Sequence, residues 1–144
     1  VAGLIGSHMA QYLLDKGYKV FGVDNLTGGY VENVPDGVLF YSEDLSNEKR
    51  VKELFRKIRP DYVYHFAAYA AEGLSHWMRS YCYAQNLGSW ANLANAAIRY
   101  DTRRMVVLSS MAVYGSQQVP FDETLIPQPE DPYGAGKAAM EAEK

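Results

Sequence analysis

The sequence predicts an α/β domain in which a parallel sheet is covered by helices on both faces, a doubly wound arrangement. Short apolar strand patterns alternate with segments of helical periodicity, and the polar and glycine-containing motifs lie at the strand ends. Strands that are separated by helices pair in parallel, and such sheets bind ligands beyond the carboxyl ends of their strands. We therefore expect the functional residues to face one crevice at that edge.

The composition is that of an ordinary globular domain. The chain has 144 residues, 48% hydrophobic and 22% charged, which suffices for one sizeable core. A net charge of −3 without a basic stripe argues against nucleic acid as a partner. No apolar run reaches the roughly 18 residues of a membrane helix, so no membrane partner is expected. The single cysteine, Cys82, fits a cytoplasmic location, and no metal-ligand spacing is present.

The first elements follow from periodicity and from residues that end helices. Residues 5–16 have apolar positions at helical spacing, and Gly17 is a suitable stop. Residues 19–23 form a short apolar strand that ends at Asp24. Residues 25–36 are rich in Asn, Gly, Pro and Asp and are predicted to form a loop.

The middle of the chain predicts a strand, a helix and another strand. The strand covers 38–41, and a helix follows over 47–58. Ser46 is a candidate N-cap for this helix, and Pro60 ends it. The third strand is predicted over 62–68.

The last third begins with a long helix, predicted over about 80–99. A fourth strand over 105–109 follows, then a proline-rich loop over 115–132. A final helix begins near Tyr133.

The first motif indicates a dinucleotide-binding turn. Gly3 and Gly6 have the spacing of the last two glycines of such a turn, where the backbone approaches a pyrophosphate at a helix N-terminus. Asp24 ends the next strand, where a carboxylate accepts hydrogen bonds from adenosine ribose hydroxyls and repels a 2′-phosphate. No Lys or Arg lies between Asp24 and Asp36, so NAD is predicted over NADP. The sequence begins inside this motif, so we expect another glycine and a strand before Val1.

A second constellation indicates acid–base chemistry. Tyr133 and Lys137 are four residues apart and share one face of the predicted helix, where the ammonium group would favour the tyrosine phenolate. A phenolate there is a usable general base toward a sugar hydroxyl. Ser110 follows the fourth strand, and its hydroxyl could bond the same substrate oxygen.

Taken together, these motifs resemble the extended short-chain dehydrogenase/reductases, within the NAD-dependent epimerase/dehydratase group. The resemblance covers essentially all 144 residues. Six motifs in order carry it: Gly3–His8, Asp24–Leu26, Asp44–Leu45, His65–Ala68, Ser109–Ser110 with Val113–Gly115, and Pro132–Tyr133 with Lys137.

The resemblance implies a Rossmann-type sheet that binds NAD, with residues 1–144 forming the NAD-binding domain. It also implies a set of cofactor-binding residues along the chain. These are Gly3, Leu4, Ile5 and Gly6 at the pyrophosphate turn, Asp24 and Asn25 at the adenosine ribose, Asp44 and Leu45 beside the adenine, Phe66, Ala67 and Ala68 along the cofactor, and Asn86, Tyr133 and Lys137.

The resemblance further implies an enzyme in which Ser110, Tyr133 and Lys137 are catalytic. Dehydratases of the family carry an Asp-Glu pair directly after the catalytic hydroxyl residue, whereas this chain has Met111 and Ala112. Hydride transfer without loss of water is therefore expected, as in a UDP-hexose 4-epimerase that works through a keto-sugar. The implied substrate is a nucleotide-diphosphate sugar, and the implied full-length protein is a homodimer.

This chain departs from the family pattern in three ways. Members of the family have the pattern N-x-x-G-T in this helix, whereas Asn86 is followed here by Leu-Gly-Ser-Trp. Either the glycine has moved or the helix packs differently. Gly136 stands before Lys137 where Ser is common, and Gly134 adds a second glycine; each costs about 1 kcal/mol relative to Ala in a helix. The family is also about twice this length, so we expect a substrate-gripping part beyond Lys144.

Two other functions remain open at the level of sequence. One is a reductase or dehydrogenase of the same family that acts on a nucleotide sugar. The other is a non-catalytic NAD-binding module, although such a module has no need of Ser110, Tyr133 and Lys137 together. We also expect these 144 residues to be inactive by themselves, because they would lack the first strand and the part that binds the substrate.

Overall fold

Four parallel strands form the centre of the molecule, arranged as two separate pairs. The computed structural model describes residues 1–143. Strand β1 (Phe21–Asp24) pairs with β2 (Leu39–Ser42), and β3 (Tyr62–His65) pairs with β4 (Arg104–Val107). Within residues 1–143 no strand hydrogen bonds join one pair to the other. The predicted parallel pairing is confirmed.

The first helix forms where its periodicity predicts it. Helix α1 spans Leu4–Asp15, and Gly17 follows with φ +81°. That backbone conformation is accessible to glycine without a steric cost, which explains why the helix ends there. A 3₁₀ turn at Val31–Asn33 interrupts the loop predicted over 25–36.

The second helix has a different cap from the one predicted. Helix α2 spans Glu48–Ile58, and its N-cap is Asn47, whose side-chain oxygen accepts from the Arg50 N–H at 3.2 Å. The assignment of Ser46 as the cap was wrong because the helix begins one residue later. The Ser46 N–H instead donates to Asp44 at 2.8 Å, so this loop residue belongs to the turn before the cap.

The third strand is shorter than predicted. Strand β3 stops at His65, whereas the apolar pattern continues to Ala68. The strand can extend only as far as its neighbour, and β4 pairs with it over four residues. The chain then continues into a short helix, α3 (Glu72–Ser75), which the sequence pattern did not indicate.

The long helix predicted over about 80–99 consists of three consecutive segments. Helix α4 (Arg79–Tyr83) passes into a π-helical turn (Ala84–Gly88) and then into α5 (Ser89–Arg99). Single π turns inside α-helices are uncommon and recur at functional sites. The altered glycine position after Asn86 therefore coincides with a real change in helix geometry.

The final helix begins at its predicted position with a well-defined cap. Strand β4 lies one to two residues before its predicted limits, and a 3₁₀ turn at Met111–Val113 follows it. Helix α6 spans Pro132–Ala142, with Pro at its first position and Asp131 as N-cap. The Asp131 carboxylate accepts from the N–H groups of Tyr133 and Gly134 in the first turn, at 2.8 and 3.0 Å.

The main core lies between one face of the sheet and two helices. Its buried members come from α2 and α5: Val51, Phe55, Leu93, Ala96 and Ala97. Val63 of β3 and Met105 of β4 pack against them from the strands. Among the described residues, 1–143, we find no helix with the length and apolarity that crossing a lipid bilayer demands.

This core predicts a large effect of removing one aromatic ring. Phe55 is 6% exposed and its ring centroid lies 6.4 Å from that of Tyr100. Phe55→Ala should lower the free energy of unfolding by about 3–5 kcal/mol, because buried apolar contacts are lost and a cavity remains. Ile98→Ala is the control, since Ile98 is 80% exposed on α5. Urea unfolding followed by circular dichroism measures both, and equal effects would contradict this description of the core.

Candidate functional site

The N-terminal turn leaves the start of α1 open to a ligand. The N-cap residue of α1 is Gly3, whose backbone is extended, so no side chain caps the first N–H groups of the helix. Leu4 and Ile5 in the first turn are exposed. A Cβ added to Gly6 would lie 2.9 Å from the Val1 Cα, so glycine permits the close approach of helix and turn. Free N–H groups and the positive end of the helix dipole suit this turn to a phosphate.

The turn is held in place by the loop after β1. The Ala2 carbonyl accepts from the Tyr30 N–H at 3.2 Å and from the Asn33 side-chain amide at 3.1 Å. A Cβ on Gly29 would lie 2.8 Å from Ala2. Sequence reasoning missed Gly29 and Asn33, because a loop contact of this kind has no periodic signature.

Asp24 lies beside this turn, as the sequence predicted for the end of the strand. Its Oδ2 accepts from the Val1 nitrogen at 3.0 Å and from the Ala2 N–H at 2.9 Å, and its Oδ1 accepts from the Leu26 N–H at 2.9 Å. Burial raises the pKa of Asp24, but these hydrogen bonds outweigh it and the pKa is lowered overall. Asp24 is therefore an ionised acceptor with one position remaining on Oδ1.

Asp44 and Asn25 are brought together by a residue that sequence reasoning missed. The Gln85 side-chain amide donates to both Asp44 oxygens at 3.2 and 3.1 Å, and its carbonyl accepts from Asn25 at 3.2 Å. Burial raises the pKa of Asp44, but the hydrogen bonds from Ser46 and Gln85 outweigh it, so the net pKa is lowered. Leu45 packs against the core and presents its carbonyl to Asn92 at 3.0 Å.

The segment after β3 is fixed by Asn86. The Asn86 side chain is buried, accepts from the Tyr69 N–H at 2.8 Å and donates to the Tyr69 carbonyl at 3.2 Å. These paired bonds hold the backbone directly beyond Phe66, Ala67 and Ala68. The structure thus gives Asn86 a role in shaping that segment.

Ser110 and the start of α6 are joined through the intervening 3₁₀ turn. The Ser110 hydroxyl accepts from the Ala112 N–H at 3.2 Å, which caps the turn. A Cβ on Gly134 would lie 2.5 Å from the Ala112 carbonyl oxygen. Gly134 therefore lets α6 begin against the turn that Ser110 caps.

Tyr133 and Lys137 lie together in a buried environment. Lys137 is 3% exposed, its Nζ donates to the Leu108 carbonyl at 2.6 Å, and it lies 5.9 Å from the centroid of the Tyr133 ring. Burial lowers the pKa of Lys137. Leu108 directly follows β4, so this bond also anchors α6 to the strand that leads to Ser110.

His65 lies close to this site as a buried, unpaired imidazole. It is 3% exposed, its ring stacks on Trp90 at 6.5 Å, and among residues 1–143 neither ring nitrogen has a hydrogen-bond partner. Burial, with a smaller contribution from the charge of Lys137, lowers the pKa of His65 from 6.5 to about 4. The imidazole is therefore neutral near pH 7.

The two residues after Ser110 carry no proton-transfer group. Met111 is 69% exposed, and Ala112 contributes its backbone to the contacts described above. Residues 1–143 contain no group of three or more His, Cys, Asp or Glu side chains placed to hold a metal ion.

Comparisons with known proteins find similarity along almost the whole chain. The model of the NAD dependent epimerase/dehydratase family matches residues 1–143. UDP-glucose 4-epimerase of Streptomyces lividans is 35% identical over 142 residues, which cover 97% of this chain and 43% of that protein. The chain thus spans less than half the length of the relatives that it matches.

Solved structures agree with the sequence comparison. UDP-glucose 4-epimerase from Thermotoga maritima, crystallised with UDP-glucose, superposes with a TM-score of 0.93 at 33% identity, over 98% of this chain and 47% of that one. The UDP-glucose 4-epimerase from Thermus thermophilus in complex with NAD gives a TM-score of 0.91 at 38% identity, over 98% and 46% of the two chains. These similarities confirm the Rossmann-type α/β fold.

The buried His65 predicts a specific pH dependence of stability. Because the folded state disfavours the imidazolium, the unfolded state binds more protons between pH 6.5 and about 4. The free energy of unfolding should therefore fall as the pH drops through that interval, by about 3 kcal/mol from this group alone. His65→Phe retains a ring against Trp90 and should remove this part of the dependence.

The measurement is chemical unfolding at a series of pH values between neutrality and the lowered pKa of His65. The exposed His76 supplies the control, since His76→Phe should leave the slope of the wild-type protein intact. A His65→Phe protein with the same slope as wild type would show that folding does not lower the pKa of His65.

Proposed function

Since the chain belongs to the NAD dependent epimerase/dehydratase family, we propose that it is the NAD-binding domain of a UDP-hexose 4-epimerase. One observation carries the proposal: the buried Lys137 ammonium lies beside the Tyr133 ring and is anchored to the strand that precedes Ser110. The names of the matched relatives support a UDP-sugar as substrate. The homodimer expected for the full-length protein is proposed on the same resemblance.

The residues at the strand ends fit NAD chemically. The open start of α1, with close backbone packing at Gly6, suits the pyrophosphate. Asp24 has an acceptor position for ribose hydroxyls, and Asp44 lies where it could accept from the adenine amine. We propose that the other turn and strand-end residues indicated by the sequence line the cofactor between these points. When bound, NAD accepts a hydride from the sugar and returns it.

The catalytic residues divide the proton transfer among them. Tyr133 removes the proton from the sugar hydroxyl as the hydride leaves the same carbon, and returns it when the hydride is added to the other face. The buried Lys137 ammonium lies beside the Tyr133 ring and would stabilise negative charge that develops on the phenol oxygen as the proton moves. Ser110 donates to the substrate oxygen and limits its movement during proton transfer.

The same residues favour epimerisation over elimination of water. Dehydration needs an acid and a base beside the hydroxyl residue, and Met111 and Ala112 supply neither. The keto-sugar would therefore return to the alcohol after rotation, with no loss of water.

The proposal predicts that Tyr133→Phe nearly abolishes epimerisation while NAD binding changes little. The phenylalanine ring still packs and only the proton acceptor is lost, so turnover should fall about 10²- to 10⁴-fold. Ser110→Ala should cost less, because it removes one neutral hydrogen bond. The measurement is interconversion of UDP-glucose and UDP-galactose by the full-length protein, with Tyr18→Phe as the control at an exposed tyrosine.

Three results would contradict this assignment. Wild-type turnover by Tyr133→Phe would exclude Tyr133 as the base. A product that is lighter by one water would place the protein among the dehydratases, and net consumption of reduced cofactor would indicate a reductase.

A separate prediction concerns the choice of cofactor. The ionised Asp24 would repel a 2′-phosphate, so the protein should bind NAD about tenfold or more tightly than NADP, equivalent to about 1.4 kcal/mol. Asp24→Asn keeps the size of the side chain and should narrow this difference. Titration calorimetry with both dinucleotides measures it, and equal wild-type affinities would refute the role of Asp24.

A further inference from the structure

The π-helical turn presents two consecutive amide side chains to different parts of the sheet. Asn86 bonds to Tyr69 in the segment that follows β3. Gln85 reaches the other strand pair, where it contacts Asn25 after β1 and Asp44 after β2. Gln85 therefore connects the segment after β1 with the loop after β2 through its own side-chain hydrogen bonds.

We propose that Gln85 is a positioning residue that holds the Asp44 carboxylate and the Asn25 amide in the orientation that receives the adenosine end of the cofactor. The proposal rests on the proposed NAD function. It assigns a role to a residue that lies outside the motifs by which the sequence indicated the site.

The hydrogen bonds around Gln85 form a chain with one direction. The Thr27 N–H and hydroxyl donate to the Asn25 carbonyl at 3.1 and 2.7 Å, and the Asn25 amide donates to the Gln85 carbonyl at 3.2 Å. The Gln85 amide then donates to Asp44 and, at 3.4 Å, to the Ser46 hydroxyl. An amide side chain supplies both an acceptor and two donors, and a carboxylate or an alkyl group at this position could not replace it.

The arrangement leaves Asp44 able to accept one more hydrogen bond. Its Oδ1 accepts from the Ser46 N–H and from Gln85, whereas Oδ2 accepts from Gln85 alone. Each carboxylate oxygen has two acceptor positions, so one remains on Oδ2. An exocyclic amine of a purine matches that position in charge and in hydrogen-bonding sense.

The backbone after Asp44 is held independently of Gln85. The Asn92 amide donates to the carbonyls of Leu45 and Ser46 at 3.0 and 3.1 Å. Loss of the Gln85 amide should therefore release the Asp44 carboxylate without displacing the loop. This separation makes a positioning role distinguishable from a general structural one.

The first experiment compares NAD with its hypoxanthine analogue, in which a carbonyl oxygen replaces the exocyclic amine. Wild type should prefer NAD, because Asp44 accepts from the amine. Gln85→Leu should reduce that preference about five- to tenfold, equivalent to about 1–1.4 kcal/mol, the net worth of one hydrogen bond. A merely structural role would weaken both ligands equally and leave the ratio of affinities unchanged.

A double substitution tests whether Gln85 acts through Asp44. In an Asp44→Ala background the preference for NAD is already lost, so adding Gln85→Leu should change the ratio no further. Gln85→Glu keeps the shape and the acceptor for Asn25 but removes the donor to Asp44, and should reduce the preference as much as Gln85→Leu. Gln11→Leu is the matched control, because Gln11 donates to Asp15 on the exposed surface of α1.

A cofactor-independent measurement distinguishes failure of this inference from failure of the proposed function. Gln85→Leu should raise the pKa of Asp44, followed by NMR of its carboxyl carbon, because a donor to the carboxylate is lost. An unchanged Asp44 pKa, or an unchanged ratio of affinities in a protein that binds NAD, would overturn the role of Gln85. A wild-type protein without NAD affinity would contradict the proposed function, while the NMR result would still decide whether Gln85 orients Asp44.

Discussion

The buried ammonium group of Lys137 constrains the whole region around the end of β4. A cation that is removed from water needs compensating hydrogen bonds, and Lys137 finds one at the Leu108 carbonyl. This bond ties α6 to the residue that directly follows β4, and the same ammonium group lies 5.9 Å from the centroid of the Tyr133 ring. The Asp131 cap fixes the start of the same helix, so the position of Tyr133 is determined from both sides.

Gly134 and Gly136 both lower the helix propensity of α6, but only one of them is required by its contacts. Gly134 lies against the Ala112 carbonyl, and any side chain there would force the helix away from the turn that Ser110 caps. Gly136 is less constrained, since an added Cβ would make only ordinary contacts, at 3.9 Å from Tyr83 and 4.0 Å from Asn86. The loss of helix propensity at Gly134 is thus offset by a close approach, and nothing in these contacts demands glycine at position 136.

The sequence was most informative where a pattern repeats or where a residue type has one conformational use. The four strands, helix α1 with Gly17, and helix α6 with Pro132 all follow from periodicity and backbone preferences. The end of β3 could not be predicted, because the apolar run continues past the point where β4 stops pairing. The cap at Asn47 rather than Ser46 depended on a one-residue choice between two competent caps.

The residues of the candidate site also divide into those that a sequence pattern indicates and those that only the tertiary structure reveals. Gly3, Asp24, Ser110 and Tyr133 belong to spaced motifs, whereas Gln85 is a single amide in a helix, and only the folded arrangement reveals its partners. Its reach also depends on a π turn, for which the sequence pattern gives no signal beyond the displaced glycine after Asn86.

The carboxylates that follow β1 and β2 and the polar groups near the end of β4 have separate hydrogen-bond partners. The Asp24 and Asp44 carboxylates and the Ser110, Tyr133 and Lys137 groups have no hydrogen-bond partner in common among residues 1–143. Substitutions at sites without shared partners tend to have additive energies. For protein engineering, substitutions that alter cofactor selectivity and substitutions of the proton-transfer residues should therefore have nearly additive effects. The exception is the π-helical turn with Gln85 and Asn86, where a substitution would affect both regions.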